Sequence, residues 1–197
     1  MGKKVWKKTT TQKIPSYQKN PQEDKKYKIT DPQKQEEQVM TLLIIGAGGY
    51  GRLVKEIAEL NGYTCDFLDD FSVDAVGRIE EVGEIEDRYD GAIVAIGNVE
   101  VREKIKIKKP VTLIHPRAEV SKSAVVEDGC VIEAGAVVST EAVVGRCSFI
   151  CAGAVVNHNA VVGEYCQIDC NTVVKAGVVV NRGVKVDSCT TYQLHQE

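Results

Sequence analysis

From His115 to Val186 the chain repeats a six-residue pattern of apolar and polar positions without a break. The twelve hexads read HPRAEV, SKSAVV, EDGCVI, EAGAVV, STEAVV, GRCSFI, CAGAVV, NHNAVV, GEYCQI, DCNTVV, KAGVVV and NRGVKV. Their sixth position is always Val or Ile, and their fourth is small or β-branched, as in Ala118, Cys130, Ser148, Thr172 and Val184. Six is not near a multiple of 3.6, so a helix would scatter these residues around its circumference. On a strand, positions four and six point to the same side. The repeat therefore predicts a parallel β-helix in which each hexad supplies one short strand and one corner. Three hexads make a triangular turn, residues 18 apart stack in columns, and the twelve hexads give four turns, placing this domain at residues 110–186. With strands about 4.8 Å apart the prism is only about 20 Å tall. A solenoid this short has exposed ends that call for capping or partners.

Residues 41–109 have a different rhythm. Leu42–Ile45 is a short apolar run suited to a strand covered on both faces, and Val54, Ile57, Ala58 and Leu60 form a helical stripe after it. Further strands are expected at Thr64–Leu68, around Gly77–Ile79, and at Gly91–Ile96, the last ending at Gly97 and Asn98. Strand, helix and strand in this order predict an α/β, Rossmann-like half-domain. Gly46, Gly48, Gly49 and Gly51 fall at the first strand-to-helix turn, in the spacing GxGxxG. Glycines there allow a tight turn and close approach of a phosphate, which the free N–H groups of the helix start attract. Asp69 and Asp70 end the next strand, about 20 residues on, where a carboxylate reaches a ribose hydroxyl or a base edge. The segment is half of a dinucleotide fold. That size suits a mononucleotide or sugar nucleotide better than NAD with a hydride acceptor; the plainer alternative is a tight turn that binds nothing.

Charge separates a further segment. Residues 1–40 hold ten lysines against five acidic residues, a net of +5, while the remainder carries 15 basic and 23 acidic residues, a net of −8. Rich in Lys, Gln, Thr and Pro, residues 1–40 read as a disordered basic tail. The reading adopted is a solvated extension, or a stretch upstream of Met40 acting as initiator, and not an arm for nucleic acid or membrane. Residues 187–197 read as a C-terminal tail. With no signal peptide and no long apolar run, a cytoplasmic location is expected. Seven cysteines, an odd number, favour reduced thiols. Cys147, Cys151, Cys166 and Cys170 imitate metal-ligand spacing, but in hexad register Cys166 points inward and Cys151 lies at a corner, so no metal is expected.

GAGGYG, then LDD, then AIGNVEVREKI, then a hexapeptide β-helix with an Asn-His corner resembles the NeuD/PglD-like sugar acetyltransferases of bacterial surface-polysaccharide and glycan pathways. The resemblance spans residues 41–186. It implies a left-handed β-helix, a homotrimer, and acetyl-CoA as co-substrate in the groove between neighbouring β-helices. It also implies an acceptor that is a sugar nucleotide, a UDP-linked amino sugar above all, or sialic acid. Gly46, Gly48, Gly49, Asp69, Asp70, Gly97 and Asn98 then match the acceptor site, Gln167, Ala176 and Gly177 the CoA side, and His158 the catalytic base. Proton removal from an amine or hydroxyl near neutral pH suits a neutral imidazole. His158, second in its hexad, is expected to point outward from a corner.

The chain departs from the family pattern where Asn159 follows the histidine in place of an acid, and where Gln167 stands in place of a second histidine, an amide that can still donate to a thioester oxygen. Its solenoid is also short past the catalytic corner. These departures leave room for a non-catalytic sugar-nucleotide binder or assembly partner. A zinc enzyme on the same scaffold needs three convergent histidines, and the solenoid holds only His115 and His158, out of column.

Overall fold

The computed structural model describes residues 39–193; the expected basic tail up to residue 38 and the last four residues lie outside them, and Met40, expected to end the tail, opens the first strand. The α/β part is built on four parallel strands, β1 (Met40–Ile45), β2 (Tyr63–Leu68), β3 (Ala75–Gly77) and β4 (Gly91–Val94), in the order β3-β2-β1-β4. Helix α1 (Gly49–Leu60) crosses from β1 to β2, burying Gly51, Val54, Ile57 and Ala58. Leu60, expected on that stripe, is exposed. A short helix α2 (Val82–Ile85) precedes β4, and α3 (Val99–Lys104) follows it. Leu42 to Ile45 and Ala92 to Ile93 are fully buried because both sheet faces are covered, which is why these strands read as continuous apolar runs.

Beyond Pro110 the chain winds through fourteen two-residue strands, from Leu113–Ile114 to Thr191–Tyr192, one every six residues. They stack into three parallel sheets, and Val143 pairs with Val125 and Val161, each 18 residues away, as the column rule requires. The fold is an α/β Rossmann-like half-domain followed by a left-handed parallel β-helix. The coil runs past its expected end at Val186. The hexad DSCTTY adds one more rung, with Thr191 paired to Val173, and what reads as tail is coil as far as Tyr192.

Positions four and six fill the prism, and Cys130, Ile132, Ala136, Val138, Ala154 and Val156 are all fully buried. Most corners are four-residue turns closed by the fourth N–H on the first carbonyl, as from Ala160 to Asn157 at 3.1 Å. Every sixth residue from Gly129 to Cys189 has positive φ, the requirement of the third residue in a type II turn. Glycine meets it freely, but Glu141 (φ 58°) and Asn159 (φ 59°) meet it too.

The α/β part sits on the sheet made by Leu113–Ile114, Val131–Ile132, Phe149–Ile150, Gln167–Ile168 and Lys185–Val186, here called the first face. Leu113, Val131 and Phe149 point out of the prism there yet are fully buried, packed in one cluster with Val54, Ile57 and Ala58 of α1. Tyr50 stacks on Phe149 with ring centroids 4.8 Å apart. The other two faces carry outward valine ladders, Val137, Val155 and Val173 on one, Val125, Val143, Val161 and Val179 on the other, of which Val125 and Val179 are about half exposed.

Candidate functional site

The chain leaves β1 in one direction toward β2 and β3 and returns on its other side at β4, so a crevice opens between the carboxyl ends of β1 and β4. The glycine turn and the Gly97 loop meet there. Gly46 has φ of 106°, and a Cβ on it would lie 2.9 Å from the Ile96 side chain. A Cβ on Gly51 would lie 1.9 Å from the Gly46 carbonyl oxygen, so this glycine lets α1 approach β1. Gly48 and Gly49 are different: both are exposed and a Cβ on either would meet nothing within 4 Å. Packing does not require them, and they leave the turn open to a ligand. Gly48 caps α1 without a side chain, and the first turn of α1 has no acidic residue, so its N–H groups face the crevice uncompensated.

The two aspartates divide their tasks. Asp69 Oδ2 accepts the Ala47 N–H at 2.8 Å, while Oδ1 accepts those of Phe71 and Ser72, each at 2.9 Å. These backbone donors, Ala47 first and then Phe71, hold its pKa below the ordinary aspartate value against the opposing effect of burial. Its carboxylate is spent on the turn itself. Asp70 Oδ1 accepts the Ile79 N–H at 3.0 Å, and Asp70 borders an open depression of about 510 Å³ with Phe71, Arg78, Ile79 and Glu80. Of the pair, Asp70 is the one exposed to a ligand.

Asn98 caps α3, its Oδ1 accepting the Val101 N–H at 3.0 Å. Behind this loop lies Arg102, a residue for which the sequence offered no role. It is fully buried and its guanidinium donates to the carbonyls of Ile96 at 2.6 Å and Tyr165 at 2.7 Å, tying the Gly97 loop to a β-helix corner. Burial pulls its pKa below the arginine norm. Gln167 belongs to this neighbourhood: a Cβ on Gly97 would lie 3.8 Å from its Oε1, and its Nε2 donates to Asp169 at 2.6 Å.

His158 occupies the corner between the second and third faces, the prism edge opposite the first face. It is exposed, as its hexad position predicts. Its Nδ1 lies 3.0 Å from Asn159 Oδ1, and the Asn157 carboxamide accepts its backbone N–H at 2.8 Å. Ala176 stands 18 residues on in the same column, and the Gly177 N–H donates to the His158 carbonyl at 3.1 Å. One chain therefore gathers Gly46, Gly48, Gly49, Asp70, Gly97, Asn98 and Gln167 at one side, and His158, Ala176 and Gly177 at the opposite edge. Gln167, expected beside Ala176 and Gly177, lies with the Gly97 loop because its hexad places it on the first face.

The thiols do not converge. Cys166 turns inward and lies 3.0 Å from the Asn181 carbonyl, whereas Cys151 faces Asp169. Among the described residues no group of three His, Cys, Asp or Glu side chains is arranged to hold a metal, and no helix is long and apolar enough to cross a membrane. His115 accepts the Arg117 N–H on Nδ1 and lines a separate cavity of about 240 Å³ between α1 and the β-helix.

A Rossmann-like half-domain with its crevice at the switch point, carried on a hexapeptide β-helix with a histidine corner, defines a class of two-part β-helix proteins. Residues 41–108 match the PglD N-terminal domain. With the coil that follows, the chain is similar to the NeuD/PglD-like proteins. It is similar to the acetyltransferase domain of PglB from Neisseria gonorrhoeae FA1090 in complex with acetyl coenzyme A, at 26% identity and a TM-score of 0.66, over 77% of this chain and 92% of that one. A second structure of that domain gives 25% identity and a TM-score of 0.63, over 76% of this chain and 92% of that one. The fold is shared with PerB from Caulobacter crescentus in complex with CoA and GDP-perosamine, at 22% identity and a TM-score of 0.56, over 79% of this chain and 92% of that one. Comparison with curated protein sequences gives no match.

Proposed function

We propose that this protein is an acetyl-CoA-dependent acetyltransferase that modifies an amino or hydroxyl group of a nucleotide-linked sugar in the cytoplasm, with His158 as general base. The observation that carries the reading is the exposed His158 corner, whose Nδ1 is engaged by Asn159 while Nε2 has no hydrogen-bond partner among the described residues. The likeness to a PglB acetyltransferase domain holding acetyl coenzyme A supports it.

In this reading the sugar nucleotide's phosphates rest on the N–H groups at Gly48 and Gly49, Asp70 takes a polar edge of the nucleoside, and the Gly97–Asn98 loop flanks the sugar. The acceptor nitrogen or oxygen attacks the thioester carbon as Nε2 of His158 takes its proton. The tetrahedral oxyanion collapses with cleavage of the carbon–sulfur bond, and the departing thiolate receives the proton from the imidazolium. Because the acceptor groups and His158 lie on opposite sides of one prism, the reaction needs the acceptor domain of one chain and the histidine corner of another. A homotrimer with three equivalent edges closes such an arrangement and covers the valine ladders. CoA then lies between neighbouring coils, with Ala176 and Gly177 on its wall. The pantetheine arm passes close to small residues, which offer no bulk against it.

The test is release of CoA thiol from acetyl-CoA against a panel of UDP-amino sugars, GDP-perosamine and CMP-sialic acid. Turnover with a nucleotide amino sugar that depends on His158 is the expected result. Binding of a nucleotide sugar without any binding of acetyl-CoA would instead establish the non-catalytic alternative.

A further inference from the structure

An acidic residue does not follow His158 in sequence, yet one reaches its hydrogen-bond partner Asn159 in space. Asn159 Nδ2 donates to Glu141 Oε2 at 2.6 Å, and Glu141 lies 18 residues earlier, directly in column on the preceding turn of the coil. Both residues occupy the third hexad position with φ near 60°, so their side chains leave the corner in the same direction and stack. The ladder continues downward, since Ser123 Oγ accepts the Glu141 N–H at 3.2 Å.

A carboxylate only accepts hydrogen bonds, so Glu141 fixes which end of the Asn159 carboxamide faces it: the NH₂ group must. The carbonyl Oδ1 is thereby turned toward His158 Nδ1, 3.0 Å away. A carbonyl oxygen also only accepts, so Nδ1 must carry the proton and Nε2 must carry the lone pair. We propose that Glu141 is a positioning residue that acts through Asn159 to hold His158 in the Nδ1–H tautomer, leaving Nε2 as the basic atom. When Nε2 takes the acceptor's proton, the imidazolium keeps its Nδ1–H on Asn159, and the Glu141 charge is felt across one amide without itself gaining a proton. The inference rests on His158 being the general base.

The test reads the imidazole nitrogens of isotope-labelled protein by long-range proton–nitrogen NMR, beside turnover of acetyl-CoA with the acceptor sugar. Glu141→Gly removes the carboxylate while relieving the positive φ, so the coil keeps its fold. In the native protein His158 should be the Nδ1–H tautomer. In Glu141→Gly it should become a mixture, with kcat down roughly 10-fold, a part of the 100-fold or more that a general base contributes, and KM for acetyl-CoA unchanged. Glu141→Gln, whose Oε1 still accepts from Asn159, should restore the tautomer and part of kcat. A native Nε2–H tautomer, or a tautomer and kcat untouched by Glu141→Gly, would overturn the proposal. Full turnover by His158→Ala would instead defeat the general-base reading, a result distinct from any change in tautomer.

Discussion

The guanidinium carbon of Arg102 lies 4.1 Å from the centroid of the Phe149 ring, joining α3 of the α/β part to the first face of the β-helix. Among the described residues no carboxylate forms an ion pair with this cation. Its charge is met by the ring and by the carbonyls of Ile96, Gly97, Tyr165 and Cys166. The domains are thus fixed together by a planar fork that reaches two segments at once, an arrangement an ammonium group cannot copy.

Arg102→Met is expected to lower stability by about 2–4 kcal/mol, since it strands buried carbonyls and removes the ring contact. Arg102→Lys should recover little of the loss. Urea unfolding checks the size of the effect, and a value under about 0.5 kcal/mol would show that the junction does not depend on the guanidinium.

Within the glycine turn, Gly51→Ala and Gly48→Ala should separate folding from binding. Alanine at 51 drives a methyl into the Gly46 carbonyl and should destabilise the α/β part, whereas alanine at 48 enters open space. Gly48→Ala should keep the melting temperature within a few degrees and raise KM for the sugar nucleotide several-fold, by crowding the phosphate. Equal melting temperatures for the two variants would contradict this division.

The same distinction explains what the sequence could reveal. A six-residue period admits no helical face, so the β-helix was legible from Val and Ile at position six alone. The rung ending in Tyr192 was not, because Tyr192 stands at the sixth position where the pattern calls for Val or Ile. Positive φ at position three was hinted at by Gly129, Gly135, Gly153, Asn159 and Asn171, and hidden by Glu141, Cys147 and Tyr165 at the same position. Arg102 gave no signal, since Val-Glu-Val-Arg-Glu-Lys reads as an exposed helix and nothing local indicates that another domain covers it. The link from Glu141 to Asn159 was available from the 18-residue column spacing, but needed the direction in which third-position side chains leave the corner.

Asp69 and Asp70, adjacent in sequence, should fail in different ways. Asp69→Asn turns an amide donor toward backbone N–H groups and should cost about 1–3 kcal/mol of stability. Because the folded pKa of Asp69 is depressed, its stabilisation is present above the unfolded value of about 3.9 and is lost as pH falls through the folded value. The stability gap between native protein and Asp69→Asn should therefore narrow below about pH 4. Asp70→Asn should leave stability nearly unchanged and raise KM for the sugar nucleotide, with KM for acetyl-CoA unaffected. Parallel melting curves and initial rates distinguish the two, and a purely thermodynamic defect in Asp70→Asn would remove it from the acceptor site.

Separation of the glycine-turn crevice from His158 within one chain makes a prediction about mixtures. His158→Ala should lower kcat by about 100-fold or more without unfolding the coil, because the ring is exposed and its loss leaves no cavity. Gly48→Asp should also be inactive, since it sets a carboxylate where phosphate binds while meeting no protein atom within 4 Å. If each site takes His158 from one subunit and the glycine turn from the next, a co-expressed mixture regains sites wherever a Gly48→Asp corner faces a His158→Ala crevice. Random assembly of equal amounts into trimers gives one such site in each mixed trimer, or about a quarter of native activity overall. A site contained within one chain gives none, because no chain in the mixture keeps both parts. Activity that stays at the level of the separate variants, in a preparation shown by light scattering to contain mixed trimers, would place the acceptor and the histidine in the same subunit and overturn the shared site.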